Sequence, residues 1–189
     1  MKLVFATNNK NKLSEIRLLV PKDIKILSLK DIGCNTELPE TSSSIEGNSL
    51  QKAKFIYDNY GFNCFADDTG LEVDVLNGDP GVYSARYAGK ECIAENNINL
   101  LLKNLEGITN RNAQFRTIIT LLIDGKKYKF EGSCLGKITS AKYGNSGFGY
   151  DPIFLPEGYN ITFAEMSKEQ KGKISHRGKA IEKLVAFFG

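Results

Sequence analysis

The segment QFRTIITLLIDGKKYKFEGSCL, running from Gln114 to Leu135, decides the fold. Gln114 to Ile123 and Lys127 to Leu135 read as strands, and Asp124-Gly125 between them is the strongest short-range sign of a β-hairpin. The hairpin is long, and it is expected to build a second lobe.

On the N-terminal side of it, elements alternate. Lys2 to Ala6 reads as a buried strand, and Asn11 to Val20 as a helix with Leu13, Ile16, Leu19 and Val20 on one face, ended by Pro21. A second strand is expected over Lys25 to Leu29. An irregular, Ser-rich and acidic segment follows from Glu37 to Gly47. Asn48 is placed as the cap of a helix reaching about Tyr60, with Gly61 as its stop. Asn63 to Ala66 and Leu71 to Leu76 read as two further strands, separated by the acidic turn Asp67-Asp68-Thr69-Gly70. Turn chemistry at Asn77 to Gly81 precedes the aromatic and basic run Val82 to Tyr87. Ala94, Ile98, Leu101, Leu102 and Leu105 fall at helical spacing before Gly107.

On the C-terminal side, Ser167-x-x-Gln170 is a capping box, and Ser175 stands before a last helix whose core face is Ala180, Ile181, Leu184, Val185 and Phe188. Helices interleaved with strands, plus one long hairpin, argue an α/β protein with a mixed sheet. No repeat, linker or low-complexity segment divides residues 1–189, so they read as one domain.

Bulk properties exclude several function classes. A chain of 189 residues can bury a substantial core. Apolar residues make up 41% and charged residues 25%, and no apolar run approaches the ~20 residues of a membrane span. Net charge is +3, with Lys and Arg dispersed, so the basic stripe of a nucleic-acid binder is missing. Cys34, Cys64, Cys92 and Cys134 form no C-x-x-C pair, and a single histidine is no zinc set. Reduced thiols and a cytoplasmic location are expected, since Met1 to Ala6 is too short for a signal-peptide core.

Four segments carry candidate chemistry. Thr7-Asn8-Asn9-Lys10-Asn11-Lys12 lies between a strand and a helix start, where backbone N–H groups and the positive helix end favour a phosphate. It matches neither the Walker loop nor the dinucleotide fingerprint. In the acidic turn, Asp67 and Asp68 repel each other unless neutralised; Mg²⁺ would do that while bridging to triphosphate oxygens, with Glu40 as the natural second ligand. Gly144 to Pro152 joins backbone freedom to Phe148, Tyr150 and Asp151, which suits a base that is stacked and edge-read. Ser175-His176-Arg177-Gly178-Lys179, with Lys171 nearby, is a second anion-friendly helix start. Taken singly, each also reads as an ordinary cap, turn or glycine corner.

Together and in this order, the segments resemble the Ham1/RdgB-like inosine triphosphate pyrophosphatase family. The resemblance rests on Thr7-x-Asn9-x-x-Lys12, Asp67-Asp68-Thr69-Gly70-Leu71, Pro80 to Gly89, Gly147 to Pro152 and Ser175-His176-Arg177-Gly178. It implies a homodimeric α/β protein with two lobes around a central mixed sheet and a substrate cleft between the lobes. The implied activity is hydrolysis of ITP, dITP and XTP to the monophosphate and pyrophosphate. By the same resemblance, Thr7, Asn8, Asn9, Lys10, Asn11, Lys12 and Lys52 would hold phosphates, and Glu40 and Asp68 the metal. Asp68 would also be the general base, and Thr69 would touch substrate. Phe148 would stack on the base, Gly149, Tyr150 and Asp151 would line its pocket, and Lys171, His176 and Arg177 would read its edge.

The family usually has Gly where Asn8 stands, which suggests a positive φ at Asn8, and often Ser at Thr69 and Thr-Phe at Ser44-Ile45. The rival readings are a Maf-like pyrophosphatase acting on pyrimidine or modified nucleotides, and a nucleotide-binding protein without catalysis.

Overall fold

The hairpin forms as read, and is longer than read. In the computed structural model, which describes residues 1–189, its strands are β5 (Asn112–Ile123) and β6 (Lys126–Ile138). Asp124 and Gly125 both take positive φ, 49° and 75°, as a two-residue turn between right-twisted strands requires. The other strands are β1 (Lys2–Phe5), β2 (Lys25–Leu27), β3 (Cys64–Val73), β4 (Pro80–Gly81) and β7 (Phe154–Pro156). They order as β2-β1-β3-β5-β6-β7, with β4 on β3. The β1 strand pairs in parallel with β2 and β3, whereas β4 on β3 and β7 on β6 are antiparallel, so the sheet is mixed.

Five helices accompany the sheet: α1 (Lys10–Leu19), α2 (Ile45–Tyr60), α3 (Ala94–Asn104), α4 (Lys168–Ile174) and α5 (His176–Ala186). The α2 helix starts earlier than read. Its cap is Ser44, whose side chain accepts the Gly47 N–H, and this places Asn48 inside the first turn and a half. Gly61 ends it at φ 70°, as expected of a left-handed stop. The Ser167/Gln170 capping box forms in both directions.

The largest departure concerns the acidic turn: there is none. Cys64 to Val73 is one continuous strand that runs through Asp67, Asp68, Thr69 and Gly70, and Asp74 to Leu76 is a 3₁₀ turn. Two carboxylates and a glycine resemble a turn on propensity alone, but each Asp has cationic or amide partners that compensate its burial.

The chain divides into two units, Met1–Asp68 with Thr117–Gly132 and Arg177–Gly189, and Thr69–Arg116 with Ser133–His176. Contrary to expectation, the hairpin does not belong to one of them. Its tip lies in the first unit and its base in the second. Each unit has its own apolar core. In the first, Leu3, Phe5, Ile16, Phe65, Ile119, Leu121, Ile181 and Leu184 pack together, with Phe5 and Phe65 stacked at 4.7 Å. Val4, Ala53, Ile56 and Cys64 belong to a further cluster of the same unit. In the second, Leu71, Val73, Ile98, Leu101, Phe115, Ile153, Phe154 and Phe163 form the core. No helix is long and apolar enough to cross a membrane. The four cysteines are free thiols; three are buried, and burial pushes the Cys64 thiol up to about 12.

Candidate active site

In the first unit, strand alternation sends the Asp67 and Asp68 side chains to opposite faces of β3, which eases the repulsion that adjacency would impose. Asp67, fully buried, takes Lys12 Nζ on Oδ1 at 3.1 Å and Arg177 Nε on Oδ2 at 3.1 Å. Burial alone would raise its carboxyl, but Lys12, Arg177 and Lys52 outweigh it and hold Asp67 well below the usual carboxylate range. Arg177 Nη1 also reaches Glu15 at 2.6 Å. Lys12 and Glu15 lie three residues apart on α1 and so share a face. Burial pulls the Lys12 ammonium down, Asp67 pushes it back up, and the nearby Lys52 and Arg177 leave it below its ordinary value. The Arg177 guanidinium, expected at a base edge, is thus engaged by two carboxylates. Glu15 is a partner that sequence reading missed.

Asp68 answers to a different helix. Asn48 Nδ2 donates to its Oδ2 at 3.3 Å, and Lys52 Nζ lies 3.4 Å from its Oδ1. These two residues are four apart on α2, again one face. Lys52 Nζ also contacts Glu40 Oε1. Burial raises the Asp68 carboxyl, Lys52 and Lys12 oppose this, and Glu40 and Asp67 add to it; the result is a pKa above the usual carboxylate value. Lys52 is desolvated too, but Asp68, Glu40 and Asp67 hold its ammonium above its ordinary value. Behind the pair, Ser49 Oγ donates to the Ala66 carbonyl at 2.9 Å and lies 3.0 Å from Thr120 Oγ1, anchoring β3 just before its carboxylates.

Asp68 and Glu40 both reach one Nζ atom, so their oxygens converge. Two hard oxygen donors fit Mg²⁺, which takes one or two carboxylates and fills its other positions with water and phosphate oxygens. No group of three or more His, Cys, Asp or Glu side chains gathers anywhere in the chain to make a full protein cage.

The Thr7 to Lys12 turn is first of all a helix cap. Asn9 Oδ1 accepts the Asn11 and Lys12 N–H groups at 2.9 and 3.2 Å, and Asn9 N–H itself goes to Thr7 Oγ1 at 3.1 Å. Those N–H groups, expected to face an anion, are therefore taken. Asn8 accepts the Leu38 N–H at 3.2 Å and does not adopt a positive φ. Lys10 and Asn11 are exposed.

The second unit holds the other expected residues. Asp151, buried, accepts Phe148 N–H at 2.9 Å and Lys171 Nζ at 2.6 Å on the same Oδ2. Lys171 Nζ sits 4.8 Å from the centre of the half-buried Phe148 ring and 5.5 Å from that of Phe163. Gly147 allows this: at φ 78° it has no side chain, and an added Cβ would lie 2.1 Å from Asp151 Oδ2. Gly149 takes φ 61°. Tyr150 departs from its expected role, since its ring is in the core and its hydroxyl donates to the Ser84 carbonyl at 2.8 Å. His176 is buried too, stacked on Phe115 with ring centres 4.5 Å apart. Thr69 is half-buried and opens this unit directly after Asp68.

The chain has counterparts among known proteins. The model of the Ham1 family matches residues 3–187. A dITP/XTP pyrophosphatase of Flavobacterium psychrophilum is 57% identical over 188 residues, covering 100% of this chain and 99% of that protein. The solved Ham1 protein of Staphylococcus aureus superposes with a TM-score of 0.89 at 41% identity, over 100% of this chain and 98% of that one. The Ham1 protein of Coxiella burnetii gives a TM-score of 0.91 at 34% identity, with the same coverage. With a family model over nearly all its residues and such relatives along its full length, the chain belongs to the Ham1 family.

Proposed function

We propose that the protein hydrolyses non-standard purine nucleoside triphosphates, dITP, ITP and XTP, to the nucleoside monophosphate and pyrophosphate, and so removes them from the nucleotide pool. The observation that carries this reading is the convergence of Asp68, Glu40 and Lys52, a general base and a pair of hard oxygen donors beside a phosphate-binding cation. The substrate names follow those of relatives such as the Flavobacterium psychrophilum enzyme.

Residues of the first unit handle the triphosphate. Asp68 takes a proton from water as the water oxygen bonds to the α-phosphorus; a carboxyl raised by burial is a better base than an exposed one. The bond from the α-phosphorus to the bridging oxygen breaks, and its electron pair leaves with pyrophosphate. Lys12 and Lys52 offset the charge that develops on that leaving group. Mg²⁺ on Asp68 and Glu40 would supply the Lewis acid that neutralises the phosphate oxygens. Arg177 with Glu15 braces Asp67, and the Asn9 cap fixes the start of α1, the helix that carries Lys12.

Residues of the second unit read the base. Phe148 stacks on the purine, with Gly149 and Asp151 around it, and Lys171 and His176 address its edge. Hypoxanthine and xanthine present an acceptor oxygen at position 6 where adenine has a donor amine, so a donor placed there rejects ATP. By resemblance to the family, the active form is a cytoplasmic homodimer.

Pyrophosphate release with Mg²⁺ across ITP, XTP, dITP, ATP, GTP and dTTP tests the reading. The expected order puts the three non-standard purines far ahead. Equal rates on ATP and dITP would sink it, and a preference for dTTP would favour the Maf-like alternative.

A further inference from the structure

One buried side chain beside Asp68 has no part in the scheme above. Asn48 is 1% exposed, sits on α2 four residues before Lys52, and donates from Nδ2 to Asp68 Oδ2 at 3.3 Å. Its Oδ1 accepts the Ser42 N–H at 2.9 Å. The two contacts settle which way the amide faces, because turning it over would set an oxygen against the carboxylate and an N–H against an N–H. A single side chain thereby ties Asp68 to the loop that carries Glu40.

The same face of α2 grips that loop at further points. Gln51 Oε1 accepts the Thr41 and Ser42 N–H groups at 3.0 and 3.3 Å, and Gln51 Nε2 donates to Thr41 Oγ1 at 2.9 Å. Lys52 then spans Glu40 and Asp68. A buried amide destabilises unless both of its ends are bonded. Here both ends are used, one on the base and one on the loop.

We propose that Asn48 is a positioning residue for the hydrolysis, aiming the Asp68 carboxylate and setting its spacing from the Glu40 loop. The proposal rests on the functional reading above. With the Oδ2 side held by the amide and Oδ1 directed at Lys52, the carboxylate keeps one rotation about its Cβ–Cγ bond. Without Asn48 it samples others, in which its lone pairs miss the attacking water, and the Ser42 end of the loop loses its tether. Geometry of this kind acts on turnover more than on nucleotide affinity, because Lys12, Phe148 and Lys171 are untouched.

Asn48→Asp keeps the shape and the acceptor for Ser42 and replaces the N–H that faces Asp68 with a like-charged oxygen. In a dITP assay at saturating Mg²⁺, kcat is expected to fall by about 10- to 100-fold, with KM close to wild type and a lowered melting temperature, because the new carboxylate faces Asp68. Asn48→Ala, which adds no charge, is expected to show a loss of the same order, and it carries the test should the Asp variant fail to fold. A wild-type kcat in a folded variant overturns the proposal. So does a raised KM with kcat unchanged, which would put Asn48 on the substrate instead. An active wild type with unaffected variants sinks this proposal alone, whereas a wild type that releases no pyrophosphate sinks the functional reading and this proposal with it.

Discussion

At the scale of single residues, the adjacent carboxylates do different work. Asp68 is held by an amide and one lysine with its carboxyl raised, whereas Asp67 is locked between Lys12 and Arg177 with its carboxyl lowered. Asp68→Asn should therefore keep the fold and nucleotide binding, measured by calorimetry, while kcat falls by at least about 100-fold; near-normal turnover would remove Asp68 from the mechanism. Asp67→Ala should act on stability instead. It leaves the Lys12 and Arg177 cations buried without their carboxylate, at a cost of roughly 3–5 kcal/mol in denaturant unfolding. The pH dependence follows in sign: the folded pKa of Asp67 lies below its unfolded value, so its contribution is complete above about pH 4 and disappears as pH falls through the folded value. Melting of the metal-free wild type should show that acid loss as pH is lowered from about 4, and Asp67→Asn should flatten it. The presence of two carboxylates could be read from the sequence. Their division of labour could not, because their partners at positions 12, 15, 48, 52 and 177 are set by the fold.

At the scale of elements, two loops show how local backbone rules reach the chemistry. The loop from Gly147 to Asp151 places Phe148 by folding the Asp151 carboxylate back onto its N–H, and it closes only because Gly147 has no side chain. Gly147→Ala should displace Asp151, loosen Lys171, and raise KM for dITP more than it lowers kcat. Gly149→Ala is the control: its φ of 61° is also left-handed, but an added Cβ meets nothing within 4 Å, so only the conformational strain of roughly 1–2 kcal/mol remains. If both variants show the same KM, the Asp151 contact does not organise the base site. The second loop, Thr7 to Lys12, was legible as strand, turn and helix start. That its N–H groups are consumed by Asn9 could be weighed from the sequence but not decided, since the same turn chemistry serves a cap and an anion.

At the scale of the molecule, the hairpin that announces the fold contributes its tip to one unit and its base to the other, each with a separate apolar core. A ligand that binds only the folded protein adds stability by mass action, about 2.7 kcal/mol at a hundred times its Kd. Asp68→Asn with dITP offers a non-turning-over case, and its melting temperature should rise with dITP and not with equal ATP; identical shifts would mean that selectivity lies in turnover alone. The sequence by itself determined the α/β class, the long hairpin with its Asp124-Gly125 turn, most helices, and the residue types of the site, because periodicity, turn chemistry and motif order are local properties of the chain. Only the tertiary structure decided that Asp67 to Gly70 is strand and not turn, that Arg177 braces Asp67, that Tyr150 is buried with its hydroxyl on the Ser84 carbonyl and His176 is stacked on Phe115, and that Asn48 faces Asp68. Those outcomes depend on which distant groups compensate a buried charge or amide, and that compensation exists only once the chain has folded.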